Sequence, residues 1–346
     1  MSTVDGGEAL RIVIAAFASF AVVVWTIPFV RRIALANEIT DHPGDDRWHR
    51  TPTPYLGGAA LVAGAISAAA VLPTWEAEAA PLILGAVVLA VVGLVDDVRT
   101  IAPLRRVVFE SGVAATVFFA GARVEIFNTV IDFVLTVGWF VVVTNAFNLL
   151  DNMDGGMASI AAVVAAAIAT VALSGGQVMI GGLAIVTGTA CLGFLLYNWH
   201  PAQILMGDAG SLFLGFMLAA LALKLRPDVP RPVSVIGLVL LLSPALFDTS
   251  LVVVSRLRAG RSIFIGGTDH TSHRLMRLGL GQRATAAVLA VAAAALSGCG
   301  VLVSVQIVNP VVGAMAIAIP CAMVGIALLR MPVYTIPAHR PRVDLR

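Results

Sequence analysis

The chain has 346 residues, 59% of them hydrophobic and only 12% charged, with a formal net charge of +2 and a mean hydropathy of +0.95. A surface that apolar does not stay dispersed in water, so a soluble globule is excluded. The small positive charge, carried by arginine-rich loops, reads as topology signals and anionic lipid contact, and nothing in it points to nucleic acid.

Apolar runs long enough to cross a hydrocarbon layer of roughly 30 Å recur along the chain. The first, Leu10–Val30, follows "MSTVDGGEAL" and is too long and too weakly flanked for a cleavable signal peptide, so it counts as a span. Leu56–Leu72, Pro81–Val95, Val107–Gly121 and Thr129–Phe147 come next, then Met157–Leu173, Val178–Tyr197 and Leu212–Leu225. Val233–Val254, Ala284–Ser304 and Val311–Leu329 complete a set of eleven. The expectation is an all-α polytopic membrane protein with about eleven transmembrane helices, one membrane domain over residues 1–346. No solenoid repeat or low-complexity linker interrupts it. Cys191, Cys299 and Cys321 fall in predicted spans at unrelated spacing and read as inert buried thiols.

Eleven spans put odd-numbered connections on one side. Those connections and the tail after Leu329 carry seventeen of the twenty-two basic residues, so that side is cytoplasmic by the positive-inside rule. "KLRPDVPRP", which holds the only lysine, Lys224, is the exception on the opposite face.

The unusual polar clusters all fall on the cytoplasmic side: "DHPGDDRWHRTPTPYLGG", "VDDVRTIAPLRR", "NAFNLLDNMDGG", "YNWHPAQILMGDAGS" and "RLRAGRSIFIGGTDHTSHRL". An ionised group in lipid costs roughly 2.5–3.5 kcal/mol on insertion scales, so such clusters have a purpose. A transporter or flippase keeps its ionisable groups near the bilayer midplane. Here the midspans are bare apart from Glu110 and Asp248.

Asp96 and Asp97 are an adjacent carboxylate pair at a helix end, able to raise one pKa or recruit a divalent cation. Asn145, Asn148 and Asp151/Asn152 are spaced to line one helix face with hard oxygen donors, which suit magnesium. Asp208 stands between glycines in "MGDAGS", before a span, where backbone N–H groups can face an anion. His270 and His273, with Arg256, Arg258, Arg261 and Arg274 near, lack a zinc pattern, and phosphate contact is the better reading. Together these groups describe a metal-dependent phosphoryl-transfer site at the water–lipid boundary, drawing one substrate from each phase. The simpler readings are a helix-packing acceptor for Asp248, an i,i+4 pair with Arg106 for Glu110, an interfacial anchor for His200, and solvated loop positions for His42, Asp45 and Asp46.

The motifs "GLVDDVRTIAP", "NAFNLLDNMDGG", "GFLLYNWHPAQILMGDAGSLFLG", "SPALFDTSLVVVSRLRAGRSIF" and "DHTSHRL", with the first-loop stretch, span residues 41–275. In that order they resemble the polyprenyl-phosphate N-acetylhexosamine-1-phosphate transferase family, the glycosyltransferase 4 family. The resemblance implies transfer of a sugar 1-phosphate from a UDP-sugar to undecaprenyl, decaprenyl or a related polyprenyl phosphate, releasing UMP, in the first membrane step of cell-wall or surface polysaccharide synthesis. It implies Asn148 and Asp208 as ligands of Mg²⁺, with Mn²⁺ as the alternative ion, and Asp96 and Asp97 beside the lipid phosphate, Asp96 as base or orienting group. Asp151 is a further pocket candidate and Asp154 is implied at the uracil end. His270, His273 and Arg274 are implied to hold phosphate or ribose, and His49, with Arg47, matches a first-loop motif of unassigned role. Partners are then the UDP-N-acetylhexosamine, the polyprenyl phosphate and membrane lipid in the inner (plasma) membrane, with a homodimer as a candidate assembly.

Three positions depart from the family's pattern: Arg106 with Glu110 replaces a Lys-x-x-x-Gln pair, Leu205 replaces an aromatic, and His270-Thr-Ser-His273 lacks the middle histidine. Without a histidine triplet or a long first-loop signature, UDP-N-acetylglucosamine is the expected donor, ahead of UDP-N-acetylmuramoyl-pentapeptide. Arg106 is expected to grip the donor pyrophosphate bidentately, where a lysine would act as a point charge.

Overall fold

The computed structural model describes residues 5–41, 52–72, 79–226 and 229–334. His49, Arg47, His42, Asp45 and Asp46 lie outside the described residues. Thirteen helices account for almost all regular structure among the described residues: α1 Gly6–Ala36, α2 Gly57–Ala69, α3 Ala79–Val98, α4 Pro103–Phe119, α5 Val130–Leu150, α6 Gly156–Ser174, α7 Val178–Asn198, α8 Gly207–Leu223, α9 Arg231–Leu241, α10 Ser243–Arg258, α11 Thr271–Arg277, α12 Gln282–Ser304 and α13 Pro310–Leu329. A two-residue antiparallel ladder, β1 Thr40–Asp41 with β2 Thr53–Pro54, is the one strand pairing described.

Each of the eleven apolar runs is helical, but the span count is corrected. Seven helices are long and apolar enough to cross a membrane, or eight if α9 and α10, bent by 72°, form one span. At about 1.5 Å per residue, the thirteen residues of α2 reach about 20 Å and the seventeen of α4 and α8 about 26 Å, short of the hydrocarbon thickness. The α9–α10 bend follows from Pro244, which supplies no N–H at the start of α10, while Ser243 Oγ donates to the Leu240 carbonyl at 2.7 Å.

One of the short apolar helices, α8, is also the most enclosed. From Ala209 to Leu223 every residue of α8 is buried, the pattern of a core helix that meets lipid on no side. It packs on α2, α3 and α5 through glycines that let backbones approach. A Cβ on Gly58 would lie 2.1 Å from Gly210 N, one on Gly93 2.3 Å from the Asp208 carbonyl oxygen, and one on Gly215 2.8 Å from Thr144 Cα. Main-chain bonds extend this docking: Leu205 N–H donates to Pro54 O (2.8 Å), Gly57 N–H to Leu205 O (3.0 Å) and Gly58 N–H to Met206 O (2.8 Å). The "TPYLGG" stretch thus runs beside the chain entering α8.

The outer helices carry the lipid-facing apolar surface, with Phe17, Trp25 and Phe29 exposed on α1 and Met315, Ile319 and Met323 on α13. The three cysteines are free thiols, Cys191 buried and the others half-buried.

These contacts carry a test. Gly93→Ala forces α3 and α8 apart, an overpacking that costs about 1–3 kcal/mol. Gly112→Ala in α4, where an added methyl meets nothing within 4 Å, does not. Thermal unfolding in detergent is expected to show a lowered Tm for Gly93→Ala and an unchanged or raised one for Gly112→Ala; equal values would remove the close approach as a packing constraint.

Candidate active site

The ends of α3 and α5 and the starts of α4 and α8 meet at one place. The first turn of a helix leaves backbone N–H groups without intrahelical partners, and α8 begins in the protein interior. Asp97, at the end of α3, satisfies two of them: Asp208 N–H donates to Asp97 Oδ1 at 2.7 Å and Ala209 N–H to Oδ2 at 3.2 Å. Gly207 stands at φ +73° with no room for a side chain, because Asp97 Oδ2 lies 2.6 Å from where its Cβ would be. Asp97, half-buried, therefore positions Asp208 through these backbone bonds.

Arg106 binds three of the expected site residues at once. Its Nη1 donates to Asp96 Oδ2 at 3.2 Å and to Asp208 Oδ2 at 3.0 Å, and its Nη2 donates to Asn148 Oδ1 at 3.1 Å. Asn148 Nδ2 in turn donates to Asp208 Oδ1 at 2.7 Å and to Ser211 Oγ at 2.8 Å. Asp96 also accepts the Ile101 N–H at 2.5 Å, which fixes the turn between α3 and α4. Behind the guanidinium, Nε lies 3.7 Å from Oε1 of the buried Glu110, and Asn145 Nδ2 donates to Glu110 Oε2. The i,i+4 pair of Arg106 and Glu110 and a place for Arg106 in the site are both present. Asp208, with 31% of its side chain exposed against 7% for Asp96, is the more open carboxylate.

Beside this cluster opens a cavity of about 440 Å³ lined by Asn148, Asp151, Asp154, Asn198, Gly266–Thr268, His270 and His273, among others. Asp151 closes α5. Burial pushes its pKa up to about 8, and the charges of Asp208, Asp97 and Asp154 push it the same way. Asp154 accepts from the Ala202 N–H at 3.0 Å and has His200 Nδ1 at 2.7 Å, so His200 is the partner of a pocket carboxylate, not merely an interfacial anchor. The turn holding Asp151 and Asp154 is set by Gly155, at φ +68°, whose N–H donates to Asn198 Oδ1 at 2.9 Å.

On the far wall, Asp248 accepts the Thr271 N–H at 2.7 Å and pairs with His270 Nδ1 at 2.8 Å. It is more than a helix-packing acceptor, since it orients a pocket imidazole. Burial, with the neighbouring His270, lowers the His273 pKa to about 4, leaving its ring neutral at pH 7. Ser272 Oγ donates to Asn152 Oδ1 at 2.5 Å and joins this wall to the end of α5.

One expected role is corrected. Arg274 does not face the cavity: it is fully buried, and its guanidinium donates to the carbonyls of Asp269, Leu328 and Met331 and to Ser255 Oγ. Four of its five N–H donors are thus engaged inside the protein, and the group is fully buried away from the cavity. Sequence reading missed Asp97's capping of α8 and the His200–Asp154 pair; the only available signal was a carboxylate and a histidine beside glycine turns.

The donors present around Asp208 are carboxylate and carboxamide oxygens, the chemistry of a hard cation. No group of three or more His, Cys, Asp or Glu side chains converges on a metal-sized point among the described residues. Magnesium takes one or two protein ligands and keeps its waters, so Asn148 and Asp208 fit it. That a guanidinium bridges these same atoms shows that the pocket favours positive charge.

The model of glycosyl transferase family 4 matches residues 79–226, which contain the whole acidic cluster. A probable undecaprenyl-phosphate N-acetylglucosaminyl 1-phosphate transferase of Bacillus subtilis (strain 168) is 32% identical over 291 residues, 81% of each chain. The chain belongs to glycosyl transferase family 4. It is a membrane phosphoglycosyl transferase of that family. A decaprenyl-phosphate N-acetylglucosaminephosphotransferase of Mycobacterium tuberculosis (strain H37Rv) is 31% identical over 295 residues, 73% of each chain. A phospho-N-acetylmuramoyl-pentapeptide-transferase of Moorella thermoacetica is also 31% identical, over 74% of this chain and 87% of the relative.

Within the family, Arg106 is the informative substitution target. A hydrogen bond to a charged partner is worth about 1.5–3 kcal/mol, so Arg106→Ala should lower kcat/KM for the donor roughly ten- to a hundredfold. Arg106→Lys should keep part of the activity, because charge survives while the fork is lost. Arg105→Ala, which removes an exposed neighbour, is expected to change little. Equal small losses at both positions would leave Arg106 a topology signal.

Proposed function

We propose that this transferase moves N-acetylglucosamine 1-phosphate from UDP-N-acetylglucosamine to a polyprenyl phosphate and releases UMP. The observation that carries the reading is the cluster in which Arg106 gathers Asp96, Asn148 and Asp208 beside the polar cavity. The similarity to N-acetylglucosamine 1-phosphate transferases over most of both chains supports the donor class.

In this reading an oxygen of the lipid phosphate attacks the phosphorus that bears the sugar, and the bond to the bridging oxygen of the donor pyrophosphate breaks. UMP leaves with that oxygen and its electron pair. Catalysis of this kind is positioning and charge stabilisation. Arg106 swings from its acidic partners to the pyrophosphate, where its planar fork meets two oxygens. Asp96, freed by that movement, orients the acceptor phosphate and takes its proton where one is present. Asp154 and the His270–His273 wall receive the nucleotide end. Asp248 holds His270 by its Nδ1 at 2.8 Å and so orients that ring at the cavity wall. Asn148 and Asp208 would hold Mg²⁺, which when bound neutralises the pyrophosphate charge.

The test is transfer of radiolabel from a panel of UDP-sugars to undecaprenyl or decaprenyl phosphate in detergent. Label from UDP-N-acetylglucosamine is expected in the lipid phase with Mg²⁺, lost on chelation and restored by Mg²⁺ or Mn²⁺. Asp208→Asn is expected to abolish transfer in a protein that still unfolds cooperatively. Transfer from UDP-N-acetylmuramoyl-pentapeptide alone would overturn the donor, and near wild-type turnover of Asp208→Asn would overturn the metal assignment.

The site faces the cytoplasm in this proposal, on the basic side of the membrane. In intact cells a cysteine at Arg99 should resist an impermeant thiol reagent and one at Ser174 should react; the opposite pattern would invert the orientation.

A further inference from the structure

The loop that forms the far wall of the cavity, Gly266–His270, is held from behind by chain that lies well outside the acidic motifs. Asp269 is fully buried and accepts from Arg256 Nε at 2.9 Å and Nη2 at 3.1 Å. The hydroxyl of Tyr334 donates to the same Oδ2 at 2.6 Å, a third hydrogen bond to this carboxylate. Arg261 stacks over the Tyr334 ring at 4.7 Å from its centre. Arg277 clasps both partners: Nη2 donates to Thr268 Oγ1 at 2.9 Å, and Nη1 donates to the Pro332 carbonyl at 3.0 Å. Arg274, with its donors on Asp269 O and Leu328 O, closes the same clasp from inside.

We infer that Tyr334, carried by the segment that follows α13, is a positioning residue for the nucleotide end of the donor. Its hydroxyl fixes Asp269, and Asp269 lies between Thr268 and His270, both of which line the cavity. The segment 328–334 makes its bonds to the loop, not to the acidic cluster at α3, α4 and α8. Its effect therefore falls on donor recognition and not on the phosphate-handling residues. Burial of Asp269 makes the effect specific: an exposed hydroxyl would exchange its bond for water, whereas here the carboxylate oxygen has no water to turn to. The inference rests on the reading that this cavity takes the nucleotide.

The experiment uses the full chain in detergent and the variants Tyr334→Phe and Arg277→Ala; Arg277 is exposed, so its removal leaves the packing intact. UDP binding by titration calorimetry is measured beside kcat and the KM values for donor and acceptor. For Tyr334→Phe, the UDP Kd and the donor KM are expected to rise about two- to tenfold, the range of one net hydrogen bond. The acceptor KM, kcat and Tm should stay near wild type, and Arg277→Ala should shift UDP binding in the same direction. Unchanged UDP binding and donor KM would overturn the inference, as would equal losses for donor and acceptor with a lowered Tm. Weakened UDP binding in a chain that transfers no sugar phosphate would leave the inference standing and overturn the proposed function. A wild-type chain that binds no UDP would overturn both.

Discussion

The two hydrogen bonds from the first turn of α8 to Asp97 are the constraint on which the rest of the site depends. A helix that starts inside a membrane protein has donors that water cannot reach, and an unsatisfied buried N–H costs several kcal/mol in lipid. Asp97 answers that requirement, and a negative charge at a helix N-terminus is also favoured by the helix dipole. The bond forms only because α3 and α8 touch, which Gly93 permits by having no side chain where the Asp208 carbonyl passes. Once α8 is anchored, Asp208 has one direction left, toward Arg106 and Asn148. The acidic pair "DD" is thus divided by function: Asp97 supports the scaffold, and Asp96 faces the guanidinium.

Much of this was legible in the sequence because its strongest signals are local. Each apolar run is helical, with Val233–Val254 broken into α9 and α10, since hydrophobic length is a property of the run itself. The number of spans was not legible, because α8 and α2 are as apolar as the lipid-facing helices and differ in being shorter and, for α8, in being surrounded by protein. Periodicity distinguishes apolar from polar faces; it does not tell lipid from a neighbouring helix. Asp96, Asn148, Asp151, Asp154, Asp208, His270 and His273 were found by type and motif, and they gather at one end of the helices.

Arg274 marks where such reading stops. A run of basic residues beside histidines looks like a phosphate site, but the partners of Arg274 are main-chain carbonyls 54 and 57 residues away, which no composition records. The same holds for His200, whose carboxylate partner is 46 residues distant. Long-range pairing is decided by how helices stack, and the stacking here is set by glycine contacts that have no polarity signal at all.

The departure of Arg106 and Glu110 from the family's lysine and glutamine can be understood as one change. An arginine stays charged at any pH that a protein meets, so an arginine placed against Asp96 and Asp208 neutralises part of their field. Its Nε points into the protein interior and makes no hydrogen bond there, which is costly. Glu110, one helical turn on, lies 3.7 Å from that Nε and offsets part of the cost by electrostatic attraction, its Oε1 likewise making no hydrogen bond. Asn145, on the adjacent α5, donates to the other oxygen of Glu110 and keeps that carboxylate from being left alone in an apolar setting. A glutamine at this position would offer a neutral oxygen, sufficient for a lysine whose ammonium lacks an Nε. Arginine with glutamate is therefore a coupled pair: the outer nitrogens of the fork gather Asp96, Asp208 and Asn148, and its inner nitrogen lies against an opposite charge from below.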